Sequence, residues 1–216
     1  SLRAAAPSGS VASSVVGGLF KLPAALAARI EADGEITTRT IVTGIERRDG
    51  DAWRVHCSAA RPGPTPADPP VADGPSFTID TPRVVMAADG AVAMELLRPI
   101  SELRMGDWML PAGARVAHVV LAVRHPDLDA GPRGSGMLVA PRDSQGLTIG
   151  AKALTHMSIK WPWLLEEARP THFLRVSYGR PGEDPRPSVD QGLADAATLL
   201  GVPLTHDDLV SSMVVH

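Results

Sequence analysis

The residues of this chain that could do chemistry are its histidines, its one cysteine and two close pairs of aspartates. His56, His118, His125, His156, His172, His206 and His216 are scattered, without the close pairing that a metal site on a helix needs. His118 and His172 fall in apolar strand contexts and read as core or edge histidines. Asp127 and Asp129 flank Leu128 in a loop rich in proline and glycine. Paired carboxylates can serve as acid and base, but this pair reads as a solvated turn, and Asp207-Asp208 reads as a turn or cap. Cys57 is alone, which excludes an intrachain disulfide; on an alternating strand pattern it reads as a small buried hydrophobe. No G-x-G-x-x-G occurs, since Gly134 and Gly136 lack a third glycine. P-loop, G-x-S-x-G and H-E-x-x-H motifs are also missing. Nothing in these residues sets up nucleophilic, metal or acid–base chemistry by sequence proximity.

Composition narrows the class further. Hydrophobic residues make up 44% of the 216, enough to build a core, and the net charge is −3. That balance argues against a general nucleic-acid binder, which carries a basic excess or stripe. Of the 21 cationic residues only Lys21, Lys152 and Lys160 are lysines. The longest apolar stretch, Val116 to Val123, is too short to span a bilayer. The opening Ser-Leu-Arg-Ala-Ala-Ala-Pro lacks the apolar region of a signal peptide. A cytoplasmic protein is expected, with peripheral membrane contact left open.

The elements that must hold any site can be read from periodicity. Leu19, Leu22, Leu26 and Ile30 recur at helical spacing after Gly17-Gly18, and Gly34 ends that helix. Glu35 to Glu46 is rich in β-branched residues. After the turn Asp49-Gly50-Asp51, Trp53, Val55 and Cys57 alternate, which makes a hairpin. Residues 61–75 hold six prolines and two glycines and read as a loop, after which Phe77-Thr78-Ile79 returns as a third strand. Arg83 to Ala88 reads as a short buried strand feeding a helix from Gly90 to Leu97, a parallel-sheet unit. Beyond Pro99, strands are expected over 117–123, 136–139, 147–153 and 173–178. A helix then runs from the Ser188/Gln191 capping pattern to Gly201, and a last strand lies within 208–215. The fold class is α+β.

Six segments together give the chain a resemblance. They are Val16-Gly17-Gly18-Leu19 through Ile30, Thr40 to Ile45, Arg83 to Ala88 with the helix to Leu97, Gly134 to Pro141, Ser158-Ile159-Lys160-Trp161-Pro162, and Leu174-Arg175-Val176-Ser177-Tyr178-Gly179-Arg180. In this order they resemble the oxygen-dependent protoporphyrinogen and coproporphyrinogen III oxidases, within the flavin amine oxidase superfamily. The first three segments are general to the superfamily and the last three are more particular to the porphyrinogen enzymes. The family's Thr-Pro after its third segment is Ala88-Asp89 here.

The resemblance implies an interior portion of an FAD-dependent oxidase with an α/β parent fold. Residues 1–98 would belong to the FAD-binding domain, as a helix, a β-meander and a strand–helix unit. Residues 99–216 would belong to the substrate-binding domain, as a mostly antiparallel sheet with helices. Val42 matches the family position whose backbone contacts FAD. Met137, Leu138 and Trp161 would line a cleft for the porphyrinogen, and Lys160 or Arg175 would meet its carboxylates. The parent enzyme would use oxygen, while this chain alone, lacking the glycine-rich dinucleotide motif, is expected to be inactive. Another flavin amine oxidase relative, such as a desaturase or amine oxidase, and a non-catalytic tetrapyrrole-binding module are the alternatives.

Overall fold

A computed structural model of the chain describes residues 13–64, 68–100, 103, 113–140 and 149–216. It is an α+β structure whose strands all pair antiparallel. The contacts group it into two compact units. One is Gly34–Gly113; the other combines the residues up to Asp33 with those from Ala114 onward. The sequence reading divides the chain at 98/99, whereas these units meet at 33/34 and 113/114.

The smaller unit is a meander of β1 (Thr40–Arg48), β2 (Ala52–Arg61) and β3 (Val71–Thr81), followed by helix α2 (Gly90–Leu97). The expected hairpin turns at residues 49–51, where Asp51 and Gly50 take positive φ. Arg54 bridges from β2 to Asp80 on β3 at 2.7 and 2.8 Å. The expected loop over 61–75 is shorter than its composition suggests, because β3 already begins at Val71 and carries Gly74 and Pro75 within it. Proline is tolerated there because β3 is an edge strand, whose outward N–H groups need no partner. The buried strand expected at Arg83–Ala88 does not form. Those residues join no sheet, and Val85 is 90% exposed. A parallel strand exists only beside another strand, and none of the three in this unit takes it as a neighbour. Asp89 then caps α2, accepting from Ala91 N–H at 2.9 Å.

The larger unit opens with α1 (Lys21–Glu31), whose apolar residues Leu22, Leu26 and Ile30 are all exposed. Its centre is a five-stranded sheet in the order β5-β6-β7-β4-β8, with β4 Ala117–Val123, β5 Gly136–Leu138, β6 Ala153–His156, β7 His172–Tyr178 and β8 Leu209–Val215. The strand expected at 147–153 starts later, at Ala153; residues 141–148 lie outside the described residues. Two short helices that periodicity does not reveal, α3 (Met157–Lys160) and α4 (Pro162–Ala168), separate β6 from β7.

Side chains of a strand alternate between faces, and the two faces of this sheet serve different ends. Val119, Leu121 and Val123 of β4 point one way with Leu174, Val176 and Tyr178 of β7, all at most 3% exposed. Helix α5 (Val189–Leu200) covers this face with Leu193, Ala196 and Leu200. Its ends are those the sequence marks: Ser188 accepts from Gln191 N–H, and Gly201 closes it at φ 68°. The helix approaches closely because Gly192 has no side chain; a Cβ there would meet Val119 Cγ1 at 2.5 Å. The core is tied by Asp195, buried on α5, which accepts from Tyr178 Oη and from Ala151 N–H, both at 3.0 Å. Burial and the Asp195 carboxylate push the Tyr178 phenol well above its ordinary range. Among the described residues no helix is long and apolar enough to cross a membrane.

Candidate functional site: an apolar cavity with unpaired cations

The opposite face of the sheet carries the other set of alternating residues. Register places Arg175 of β7 between Val120 of β4 and Thr155 of β6. Phe173 lies two residues along the same strand and so on the same face. Immediately after β6 the chain turns into α3, and the local sequence fixes its path from there. Trp161 precedes Pro162, which disfavours helical backbone at the tryptophan; it is extended, at φ −125° and ψ 92°. Helix α3 therefore stops after Lys160, and Pro162 restarts the chain as the first residue of α4, where its missing N–H costs nothing. This break sets Lys160, Trp161, Trp163 and Leu164 beside the sheet. Ser158, fully buried, pins the arrangement by accepting from Phe173 N–H at 2.8 Å.

Between these elements, and closed by Ser14, Gly18 and Leu19, lies a cavity of about 440 Å³. Its volume is within the range of sites for small organic ligands, roughly 300–1,000 Å³. The lining is largely apolar, through Val120, Met157, Trp161, Leu164 and Phe173, with Lys160 and Arg175 as its cations. Among the described residues neither cation is in an ion pair. The Lys160 ammonium sits 5.2 Å from the centre of the Trp161 ring, a cation–π contact. Two N–H groups on lining residues, Trp163 Nε1 and Arg175 Nε, are covered by the protein and have no protein acceptor. A buried donor left unpaired costs about 1–3 kcal/mol. Further along the same face, His118 Nδ1 is 3.0 Å from Ser177 Oγ. Burial first, then Arg175 and Lys152, lowers the His118 pKa, so this imidazole favours its neutral form.

Of the residues expected to bind substrate, the structure brings Lys160, Trp161 and Arg175 together in this cavity. Met137 and Leu138 are elsewhere. Met137, opposite Leu154 in the β5–β6 register, packs on the core covered by α5. Leu138 is 89% exposed on the short edge strand and is not among the residues lining the cavity. Trp163, Phe173 and Val120 join the lining without having been expected there. Phe173 is accessible from strand parity with Arg175, and Trp163 from the Trp161-Pro162-Trp163 sequence; Val120 needs the strand pairing. Pro141, the end of one resemblance segment, lies outside the described residues.

Val42 is half-buried on β1 of the smaller unit, opposite Cys57 and next to a bulge between Val42 and Gly44. Its backbone is strand backbone, but the described residues include no strand that runs through a G-x-G-x-x-G turn into a helix, the unit that cradles a pyrophosphate. These residues alone therefore do not fit a complete FAD site. Cys57 is buried, and burial raises its thiol pKa, which suits a core residue and not a nucleophile.

A second polar cluster lies under the 3-10 turn Pro126–Ala130. His156 Nε2 is 3.0 Å from His172 Nδ1, and His172 Nε2 is 3.3 Å from Asp129 Oδ1. Among the described residues no group of three or more His, Cys, Asp or Glu is placed to hold a metal ion.

Among the described residues, the lining offers apolar surface and two cations, a combination suited to an anionic, largely apolar molecule, and includes no nucleophile–base pair. No family model matches the chain, and no curated protein is significantly similar to it.

Proposed function

We propose that this chain carries the substrate-binding part of an FAD-dependent, oxygen-using oxidase that converts a porphyrinogen, coproporphyrinogen III or protoporphyrinogen IX, to its porphyrin in haem biosynthesis. The observation that carries the reading is the gathering of Lys160, Trp161 and Arg175 around one apolar cavity. Two of the resemblance segments, 158–162 and 174–180, supply those three residues. A porphyrinogen is an apolar macrocycle with peripheral carboxylates, so it asks for apolar walls and a few cations. In such an enzyme a bound flavin would supply the two-electron oxidation chemistry, with oxygen as the final acceptor. The protein contributes binding, orientation and exclusion of water. In this reading Trp161 and Phe173 offer apolar surface, Lys160 and Arg175 fix the carboxylate edge, and the absence of acid–base groups in the cavity is no obstacle. A cytoplasmic location, with peripheral contact at a membrane, goes with this reading.

One observation favours a second reading. The described residues make a binding cavity without making a flavin site, which is what a non-catalytic tetrapyrrole-binding module would need. Oxidase assays on the protein from the complete reading frame, supplied with FAD, oxygen and each porphyrinogen in turn, separate the two. Porphyrin formation supports the oxidase. Tight porphyrin binding with no turnover and no flavin uptake leaves the binding module, and failure to bind or convert any tetrapyrrole rejects both.

A further inference from the structure

We propose that His156, His172 and Asp129 form a proton-sensitive latch that stands behind the cavity wall and positions residues 155–161 along it, which makes His156 a positioning residue of the site. The inference deepens the reading of the cavity as a binding site and rests on that reading for its consequence alone. The latch itself needs no ligand.

Thr155, Met157, Lys160 and Trp161 all line the cavity. His156 lies between the first two. By strand alternation it shares the opposite face with Leu154, and it is fully buried there. Its Nε2 is 3.0 Å from His172 Nδ1, whose ring reaches Asp129 of the 126–130 turn. Helix α3 starts directly after His156, so the latch sits at the root of the segment that carries Lys160 and Trp161. The same turn meets α3 a second time. It closes at Gly131, where a Cβ would lie 3.4 Å from Ile159 Cδ1. The His156 N–H also donates to Ser135 O at 3.1 Å.

Proton sensitivity comes from His156 Nδ1, which is buried without a partner. A bare lone pair costs little there. Protonation turns it into a charged donor with no acceptor, which burial penalises. The neighbouring charges give no relief. Asp129 is engaged with His172, and Asp195 of α5 with Tyr178 and Ala151. Arg124 bonds Thr171 Oγ1, and His125 is 3.9 Å from Asp127. Arg133 is exposed, while Lys160 and Arg175 belong to the cavity face. Burial first, then His172, lowers the His156 pKa from 6.5 to about 4. An opened segment, with this imidazole in water, accepts a proton that the closed one resists. Opening therefore becomes easier as pH falls from 6.5 toward about 4.

Amide hydrogen exchange of the 216-residue protein without ligand, corrected for intrinsic rates, tests this from about pH 7.5 to about pH 4.5. Residues 126–131 and 155–161 should exchange through an opening easier than the one that exposes α5. Its equilibrium constant should rise up to about tenfold per pH unit below pH 6.5. His156→Gln keeps an N–H for His172 Nδ1 but does not titrate, and it should lose the slope. Asp129→Ala should speed exchange at about pH 7.5, and Asp129→Asn, which keeps an acceptor oxygen, should restore slow exchange. Thermal unfolding checks that each variant folds, and the pH series on the unaltered protein needs none of them. No pH slope at 155–161, or a slope that survives in folded His156→Gln, overturns the latch. So does exchange of 155–161 and α5 through one common opening. Because no ligand is present, these outcomes are separate from those of the tetrapyrrole assays.

Discussion

His156 Nε2 lies 3.0 Å from His172 Nδ1, and both rings are almost completely buried at the edge of the larger unit's core. The hydrogen bonds assign the tautomers. Asp129 accepts, so His172 Nε2 carries its proton and His172 Nδ1 accepts from His156 Nε2–H. That leaves His156 Nδ1 as a lone pair without a donor. The chain of contacts ties the turn at 126–130 to the ends of β6 and β7.

Burial, with a smaller contribution from His172, lowers the His156 pKa from 6.5 to about 4. The folded protein therefore keeps this imidazole neutral where the unfolded chain protonates it. The unfolded state binds the extra proton between those two values, so stability is highest above pH 6.5 and falls as pH drops toward about 4. The slope for one such group is about 1.4 kcal/mol per pH unit. Urea unfolding followed at several pH values should show this slope in the wild type. His156→Leu should remove it, while costing stability at neutral pH by leaving His172 without its donor. An unchanged slope in a folded His156→Leu protein would show that another group titrates.

Asp195 holds two donors in a dry environment, and the two partners predict different costs. Tyr178→Phe removes one neutral donor and should destabilise by about 1 kcal/mol. Asp195→Ala strands both the Tyr178 hydroxyl and the Ala151 N–H, and should cost about 3 kcal/mol. Denaturant melts of the two variants should therefore rank Asp195→Ala well below Tyr178→Phe. Equal losses would contradict the shared-acceptor geometry.

Met137 and Leu138 are neighbours with opposite fates. Met137→Ala should destabilise by about 2 kcal/mol, since its side chain packs on the core. Leu138→Ala should change stability by less than about 0.5 kcal/mol, because that side chain is 89% exposed. Thermal unfolding of both checks the assignment of faces in the short β5 strand.

Where local chemistry and tertiary packing agree, the sequence is a good guide. Ser188 and Gly201 bound α5 because a side-chain cap and a left-handed glycine are local requirements. The β1–β2 hairpin comes from its alternation and the Asp49-Gly50-Asp51 turn. The failures come where context decides. Pro75 reads as a loop residue but sits in an edge strand, and edges forgive a missing N–H. Arg83–Ala88 has the apolar content of a buried strand, but strand formation is a property of pairs. In the cavity, Lys160, Trp161 and Arg175 can be picked out without the fold. Val120 cannot, because its place beside Arg175 comes from the β4–β7 register. Leu138 fails for the converse reason: an apolar residue in a matching segment says nothing about which way a three-residue edge strand turns it.

The proposed tetrapyrrole site is the sheet face formed by β4, β6 and β7. Hydrogen exchange of the 216-residue protein, with and without saturating coproporphyrin III, locates the ligand most directly. Exchange should slow in 157–164 and at the Phe173–Arg175 stretch of β7, with the β1–β3 meander unchanged. Protection confined to the meander, or no protection at 157–164 while coproporphyrin III is demonstrably bound, would contradict it.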